Sequence, residues 1–205
     1  AMPPFMMAAP ARDFSSSGAS VQRFTLFGIG ESGLQQKISD SIPDWPTDIE
    51  LGFRVSFPQL ELKLSTDNAQ ARSSVEKIWP RLHAVIGDCL LGEGDITLPQ
   101  LLVQLLRERG KRVTVAESCT GGLIAASITQ IPGASAVLDA GFVTYSNTMK
   151  HALLQVDEQA LRDEGAVSER VVREMALGAL YHSGADYAIS VSGIAGPDGG
   201  TDEKP

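Results

Sequence analysis

The stretch 113–122, Val-Thr-Val-Ala-Glu-Ser-Cys-Thr-Gly-Gly, constrains the fold of this chain more than any other. Its β-branched start is typical of a buried strand, and a helix-forming run, residues 123–128, follows the glycines. Such a strand-to-helix turn forms an anion pocket, because the first amides of a helix are unpaired. The same amides stabilise an oxyanion when a nucleophile lies beside them. Ser118 is the candidate nucleophile, and the competing interpretation is that Ser118 or Thr120 only caps the helix.

Two further stretches are typical of strands that end in polar residues. Residues 141–150, Gly-Phe-Val-Thr-Tyr-Ser-Asn-Thr-Met-Lys, end in Lys150, and residues 189–201 run from a strand into a glycine-rich loop. Ligands of open α/β folds bind at the edge of the sheet where the carboxyl ends of its strands meet. We therefore expect Ser118, Tyr145, Lys150 and the glycine-rich loop to lie at one such edge.

The three motifs AESCTGG, GFVTYSNTMK and SGIAGPDGGT, in this order and spacing, closely resemble the C-terminal domain of CinA proteins. That domain is the nicotinamide mononucleotide deamidase also called PncC, and the resemblance covers roughly residues 95–205. It implies an α/β fold, a three-layer α/β/α sandwich. It also implies an amidohydrolase of pyridine nucleotide salvage that converts nicotinamide mononucleotide to nicotinate mononucleotide and ammonia, with no metal and no cofactor.

In this interpretation Ser118 attacks the amide carbon and Lys150 is the base. A lysine serves as a base when desolvation or nearby positive charge lowers its pKa, and a serine hydroxyl needs such a base. Tyr145 would relay the proton or orient the amine. No His lies in the three motifs, so a Ser/His/Asp triad is not favoured. The alternatives are a solvated surface charge for Lys150 and a half-buried sheet residue for Tyr145.

The predicted substrate-binding residues lie in the turns and strand ends of the three motifs. They are Cys119, Thr120, Gly121, Gly122, Asn147, Ser192, Gly193, Gly196 and Gly199. The amides of residues 119–121 are candidates for the oxyanion hole. The loop 193–200 lets the backbone approach a phosphate or a ribose, unless its glycines form an ordinary surface turn. Cys119 is alternatively a small packing residue.

Residues 22–91 predict a small α+β domain in the order β-α-β-β-α, with a kink or break at Pro80. Residues 28–33, Gly-Ile-Gly-Glu-Ser-Gly, match the dinucleotide pattern G-x-G-x-x-G. The two strands after the helix predict a hairpin and not a parallel crossover, so we infer no dinucleotide site. The same turn matches the phosphate-clamping loop of KH domains, where Glu31 would repel phosphate. The segment resembles the KH-like middle domain of full-length CinA, and we predict a connecting domain without chemistry of its own.

The two ends of the chain carry further expectations. Residues 1–21 are rich in Met, Pro, Ala and Ser, which predicts a disordered tail or linker. Residues 95–205 contain three predicted strands, fewer than the family's domain, so we expect a domain truncated at its C-terminus and a chain that is a fragment of full-length CinA. Uncovered apolar surface and a sheet edge would then favour a homo-oligomer and weak or absent activity.

The composition argues against several classes of function. The net charge is −8 and no region is basic, so neither nucleic acid nor an anionic membrane is an expected partner. Two cysteines and three histidines without metal-ligand spacing predict no metal site and no disulfide framework, which suits the cytoplasm. No apolar run approaches the ~18–20 residues of a membrane span.

Two other classes of function remain open or are set aside. The domain would use the same pocket if it were a mononucleotide-binding or interaction domain without turnover, as part of a CinA-like competence/damage-inducible protein. A phosphotransferase of the P-loop type is disfavoured because the chain lacks G-x-x-x-x-G-K-[ST].

Overall fold

The computed structural model describes residues 13–14, 20–67, 71–196 and 200–201. The chain divides into two compact units, residues 1–98 and residues 99–205. The sequence placed the division between residues 91 and 95. The strand Leu90–Glu93, which the sequence analysis missed, pairs with the sheet of the first unit, and the Gln59 side chain donates to the carbonyl of Ile96 at 2.9 Å. These contacts explain why the first unit extends to residue 98.

The first unit is an antiparallel sheet with two helices. Its elements are β1 (Asp13–Phe14), β2 (Ser20–Phe27), α1 (Glu31–Ser41), β3 (Glu50–Ser56), β4 (Gln59–Thr66), α2 (Ala71–Ile86) and β5 (Leu90–Glu93). The strand order is β1-β2-β4-β3, and β5 pairs with β2. Strands β3 and β4 are antiparallel, with Ser56 opposite Gln59. The predicted hairpin is therefore confirmed, and the parallel crossover of a dinucleotide-binding unit is not formed here.

The core of the first unit follows from the residue patterns of its strands and helices. Leu60, Leu62 and Leu64 alternate along β4 and are fully buried, as the two-residue period of a strand requires. The helices add apolar residues at helical spacing. Those are Leu34 and Ile38 of α1, and Val75, Ile78, Leu82 and Ile86 of α2. Each such buried side chain contributes roughly 1.5–3 kcal/mol to the free energy of unfolding.

The structure differs from two sequence predictions for this unit, the tail at residues 13–14 and a break at Pro80. Asp13 and Phe14 pair with the start of β2, so part of the predicted tail 1–21 lies in the sheet. Pro80 does not break α2, because buried residues on both sides of it, such as Ile78 and Leu82, hold the helix against the core. The remainder of the predicted tail, residues 1–12 and 15–19, lies outside the described residues.

The second unit is a parallel sheet between two layers of helices. Its elements are α3 (Leu98–Glu108), β6 (Val113–Glu117), α4 (Leu123–Thr129), a 3₁₀ turn (Ala134–Ala136), β7 (Leu138–Val143), α5 (Asn147–Leu154), α6 (Glu158–Asp163), α7 (Glu169–Ser183) and β8 (Tyr187–Val191). Among the described residues the strand order is β7-β6-β8, with both pairs parallel. In the part of the chain that the structure describes, no helix is long and apolar enough to cross a bilayer.

The central strand β6 separates two apolar clusters. Val113 and Val115 pack with residues of α3 and α4, whereas Ala116 packs with residues of α5, α6 and α7. Successive side chains of a strand point to opposite faces of the sheet, so one strand supplies both clusters. This arrangement confirms the predicted three-layer α/β/α sandwich.

Helix α5 is held at both ends. Ser146 caps its N-terminus by accepting the amide of Met149 at 3.2 Å. At its other end α7 passes so closely that a Cβ on Gly178 would lie 2.7 Å from the carbonyl carbon of Leu154. The position of α5 therefore depends on the absence of a side chain at residue 178.

The variant Gly178→Ala tests this close approach. Ala is favoured over Gly inside a helix by about 1 kcal/mol, but the added Cβ would overlap the backbone of Leu154. We expect a net decrease of about 1–3 kcal/mol in the free energy of unfolding, measured by urea denaturation. The control is Leu177→Ala on the same helix, where the side chain is 64% exposed and the change should stay within about 0.5 kcal/mol. An unchanged or higher stability of Gly178→Ala would show that the two helices have room to separate.

Candidate active site

Three polar segments meet where the strands of the second unit end. Glu117, the last residue of β6, lies opposite Val143 of β7 and Val191 of β8. Because all three strands run parallel, the residues that follow them lie at one edge of the sheet. These segments are the turn 118–122, the connection 144–146 and the loop that begins at residue 192.

Ser118 and Lys150 come into contact at this edge. The Nζ atom of Lys150 lies 2.9 Å from Oγ of Ser118. Lys150 has no exposed surface and Ser118 is 7% exposed, so water is largely excluded from the pair. Lys150 is the fourth residue of α5, and side chains of a helix point back towards its N-terminus. That direction brings the amine to the carboxyl ends of the strands.

The Lys150 amine has two further partners, both backbone carbonyls. It donates to the carbonyl of Thr144 at 2.8 Å and to that of Tyr145 at 3.1 Å. In the described part of the chain it forms no ion pair with a carboxylate. Burial therefore lowers the pKa of Lys150 below its ordinary value of 10.5, and the electrostatic interaction with nearby Cys119 opposes this only partly. A neutral amine can donate to the two carbonyls and accept the hydroxyl proton of Ser118 with its lone pair.

Glu117, next to Ser118, is a buried carboxylate that the sequence analysis missed. It has no exposed surface. Its oxygens accept hydrogen bonds from the backbone amides of Gly122 at 3.0 Å, Ile124 at 3.1 Å and Ala125 at 2.9 Å. The start of α4, which the sequence predicted to be an anion pocket, is thus already occupied by an anion of the chain itself. The interpretation in which Ser118 or Thr120 caps this helix is wrong, because the N-cap residue is Gly122, which has no side chain, and the amides of the first turn donate to Glu117 instead.

The charge of Glu117 is stabilised by these donors. Burial raises the pKa of Glu117, but the amide of Ala125, the Thr120 hydroxyl and the amides of Ile124 and Gly122 together outweigh burial, and the pKa is lowered overall. The Thr120 hydroxyl is close enough to contribute to the lowering, although its oxygen meets no partner with hydrogen-bond geometry in the described residues. Glu117 therefore remains ionised at neutral pH.

The turn after Ser118 leaves two backbone amides available. Gly121 donates to the carbonyl of Ser118 at 3.1 Å, and Gly122 donates to Glu117. Neither amide is free for an oxyanion hole, which corrects the prediction for Gly121. The amides of Cys119 and Thr120 donate to no acceptor among the described residues. An oxyanion formed by attack of Ser118 therefore has two candidate donors in this turn.

Other predicted site residues lie differently from what the sequence suggested. The Tyr145 side chain is 71% exposed, and the contact of Tyr145 with Lys150 is made by its carbonyl and not by its hydroxyl. The hydroxyl of Ser192 donates to the carbonyl of Ala166 at 2.7 Å, so its proton serves the fold. Asn147 is exposed at the start of α5.

The glycine-rich loop is only partly described. Gly193 lies against Cys119, where an added Cβ would be 3.2 Å from Sγ, so the loop and the turn are adjacent. Gly196 has a φ of +64° and is exposed. Gly199 lies outside the described residues.

Two buried hydroxyl oxygens at the site, those of Thr120 and Thr144, meet no partner in the described residues. Buried polar atoms are rarely left without a hydrogen bond, so both are candidates to bind water or substrate. Among the described residues no group of three or more His, Cys, Asp or Glu side chains could hold a metal ion.

Of the two groups that the sequence analysis missed, Glu117 left a signal in the sequence and the carbonyl of Thr144 did not. Glu117 carried a signal, an acid at the end of an apolar strand just before a helix start, where negative charge is favourable. The carbonyl of Thr144 carried none, because every residue has a backbone carbonyl.

Comparison with known proteins gives consistent relatives. Residues 95–205 match the family model of the CinA C-terminal domain. The chain is 49% identical over 189 residues to a CinA-like protein of Colwellia psychrerythraea, which covers 90% of this chain and 44% of the relative. It is 44% identical over 181 residues to a putative competence-damage inducible protein of Caldicellulosiruptor saccharolyticus, which covers 87% of this chain and 44% of the relative. The chain therefore spans less than half the length of these relatives.

A solved structure supports the same assignment. The crystal structure of the competence/damage inducible protein CihA from Agrobacterium tumefaciens is 50% identical in sequence, with a TM-score of 0.51. The match covers 53% of this chain and 66% of that chain.

The burial of Lys150 predicts a pH-dependent stability that Lys150→Met abolishes. Because the pKa of Lys150 is lowered in the folded chain, the unfolded chain binds more protons between that lowered pKa and 10.5. The free energy of unfolding should then rise with pH across this window, by up to about 1.4 kcal/mol per pH unit. Urea denaturation of the wild-type protein and of Lys150→Met at several pH values measures the difference.

The matched control is Lys111→Met, since that lysine is 45% exposed and pairs with Asp186 at 2.6 Å. Its pKa is raised, first by the hydrogen bond from its amine to Asp186, so it should contribute no gain in stability with pH below 10.5. A difference between the wild-type protein and Lys150→Met that stays constant with pH would show that the buried amine keeps its ordinary pKa.

Proposed function

The chain belongs to the family of the CinA C-terminal domain, and on this basis we propose that its second unit is a metal-independent serine amidohydrolase. The substrate is nicotinamide mononucleotide, and the products are nicotinate mononucleotide and ammonia. The observation that carries the proposal is the buried contact of 2.9 Å between the Ser118 hydroxyl and the Lys150 amine. The choice of substrate rests on the resemblance of the three sequence motifs to those of the CinA C-terminal domain.

The proposed reaction begins with proton transfer between the two side chains. Neutral Lys150 takes the hydroxyl proton of Ser118 while Oγ attacks the carboxamide carbon of the substrate. The amides of Cys119 and Thr120 donate to the oxygen that becomes negatively charged. The Lys150 ammonium then returns its proton to the nitrogen that leaves, and ammonia departs from an ester on Ser118.

The second half of the reaction repeats these steps with water. Lys150 removes a proton from a water molecule that attacks the ester carbon. The tetrahedral intermediate collapses and Ser118 recovers its proton from Lys150. The product forms as a carboxylic acid and releases its remaining proton to solvent, so that it leaves as the carboxylate. The burial of Lys150 supports this role, because a lowered pKa provides neutral amine at a pH where an exposed lysine is charged.

The phosphate of the mononucleotide needs a separate site. The first turn of α4 does not provide one, since Glu117 occupies its amides. We assign the phosphate to the backbone of residues 193–196, whose amides donate to no acceptor among the described residues. The position of Gly193, the first residue of this segment, beside Cys119 supports this assignment.

Ser118→Ala tests the nucleophile. We expect turnover to fall by about 10³-fold or more, with substrate binding retained because only the hydroxyl is lost. The measurements are ammonia release from nicotinamide mononucleotide and calorimetric binding of the same compound. The matched control is Ser127→Ala, which removes a hydroxyl that donates within α4 to the carbonyl of Ile124 at 2.8 Å and should leave turnover unchanged. Binding by the wild-type protein without ammonia release would instead indicate a mononucleotide-binding protein.

The pH dependence of the reaction tests the base. The neutral form of Lys150 is the active one, so kcat/KM should rise with pH through an apparent pKa below 10.5. Lys150→Met should lose about 10²–10⁴-fold in turnover and lose this rise. Loss of binding in proportion to the loss of rate would place Lys150 on the phosphate, and unchanged kinetics would remove it from the mechanism.

A further inference from the structure

Glu117 has no part in the proton transfers proposed above, yet its carboxylate is fully buried beside the nucleophile. It is held by three backbone amides at 2.9–3.1 Å. Its own backbone is also fixed, since its carbonyl accepts the amide of Thr144 at 2.9 Å. A buried carboxylate next to the nucleophile either stabilises the fold alone or also orients the groups that react.

We propose that Glu117 is a positioning residue that aims Ser118 at Lys150 and aims the amides of Cys119 and Thr120 at the oxyanion. This inference rests on the serine amidohydrolase function proposed above. In this role the hydrogen bonds of the Glu117 carboxylate determine which amides of the turn are free to donate to the substrate.

Glu117 closes the turn that carries the nucleophile. The side chain of Glu117 reaches forward to the amide of Gly122, so the four residues between them form a loop with both ends fixed. Within it, Gly121 donates to the carbonyl of Ser118. The remaining amides, those of Cys119 and Thr120, are the ones without an acceptor among the described residues. Glu117 and the inner hydrogen bond thus select the two donors.

The side chains of Glu117 and Ser118 point in opposite directions. Glu117 and Ser118 are neighbours at the end of a strand, where successive side chains point to opposite faces of the sheet. Glu117 points to α4, and Ser118 points to α5 and Lys150. If the amides of α4 were free, they would attract the negative oxygen towards α4. By occupying them, Glu117 leaves the oxygen on the side where Ser118 attacks.

If Glu117 only stabilised the fold, its mutation would have a different effect from that expected for a positioning residue. Loss of the hydrogen bonds that cap α4 would lower the melting temperature, and the folded fraction would keep its rate. A positioning role predicts a loss that appears in kcat and in the affinity for a mimic of the tetrahedral intermediate, with KM for the substrate almost unchanged.

Pyridine-3-boronic acid is a suitable mimic, because its boron replaces the amide carbon. The Ser118 oxygen bonds to boron, the hydroxyl proton passes to Lys150, and the resulting anionic boronate places one hydroxyl where the oxyanion forms. Its binding needs no turnover. Failure of the proposed substrate, seen as no ammonia release by the wild-type protein, is therefore distinguishable from failure of this inference.

The first experiment compares boronate affinity and kinetics across variants. Glu117→Gln keeps the length but places an amide donor against backbone donors, and we expect boronate affinity and kcat to fall together by about 10²-fold, with KM changed less than about threefold. Glu117→Asp keeps the charge and should recover part of both losses. The control, Glu108→Gln, alters a carboxylate of α3 that accepts from Gln104 at 2.9 Å and should change neither. Wild-type boronate affinity in Glu117→Gln, with only its melting temperature lowered, would overturn the proposal.

A second experiment uses the wild-type protein, so it does not depend on the variants folding. Amide resonances are followed by NMR as pyridine-3-boronic acid is added. We expect the amides of Cys119 and Thr120 to shift strongly, while those of Ile124 and Ala125, bonded to Glu117, keep their positions. Absence of boronate binding at Ser118 would contradict the proposal. So would a shift of the Ile124 and Ala125 amides to new partners, which would mean that the substrate displaces Glu117.

Discussion

The candidate site depends on one interaction, the contact of a buried lysine amine with a serine hydroxyl and two carbonyls. A buried ammonium without a carboxylate partner is costly, since several kcal/mol of hydration are lost. The neutral amine avoids that cost and still satisfies both carbonyls. The packing of α5 against α7 and the sheet, which buries Lys150 together with Leu154, is therefore also what makes the amine a base.

Glu117, the residue before the nucleophile, is a second buried ionisable group, and its surroundings stabilise the charged form. The amides around Glu117 keep its carboxylate charged, whereas the surroundings of Lys150 favour the neutral amine. The pleat of β6 sends Glu117 to the α4 side and Ser118 to the α5 side. Two ionisable groups with opposite requirements are thus accommodated at one strand end, because the sheet lies between them.

Sequence patterns predicted the fold of the second unit and the hairpin of the first, since both depend on side-chain periodicity and on turn residues. They did not predict the short strands β1 and β5, whose formation depends on backbone pairing with β2. Strands β1 and β5 are two and four residues long, too short to show a period. At the site, the motifs indicated that Ser118 and Lys150 would meet. The roles of the Tyr145 and Thr144 carbonyls were not predictable from side-chain chemistry, and Glu117 was overlooked because a charged residue in a strand is usually exposed.

The short connection between β7 and α5 has a consequence for how such chains can vary. Lys150 faces the strand ends because only residues 144–146 separate Val143, the last residue of β7, from the start of α5, with Ser146 as the cap of the helix. If the helix kept its starting point, each residue added or removed there would move Lys150 by about 100° around the helix axis. The amine would then leave Ser118, even if every side chain of the site were kept. Insertions and deletions between Val143 and Asn147 should therefore be selected against more strongly than many substitutions of exposed residues there.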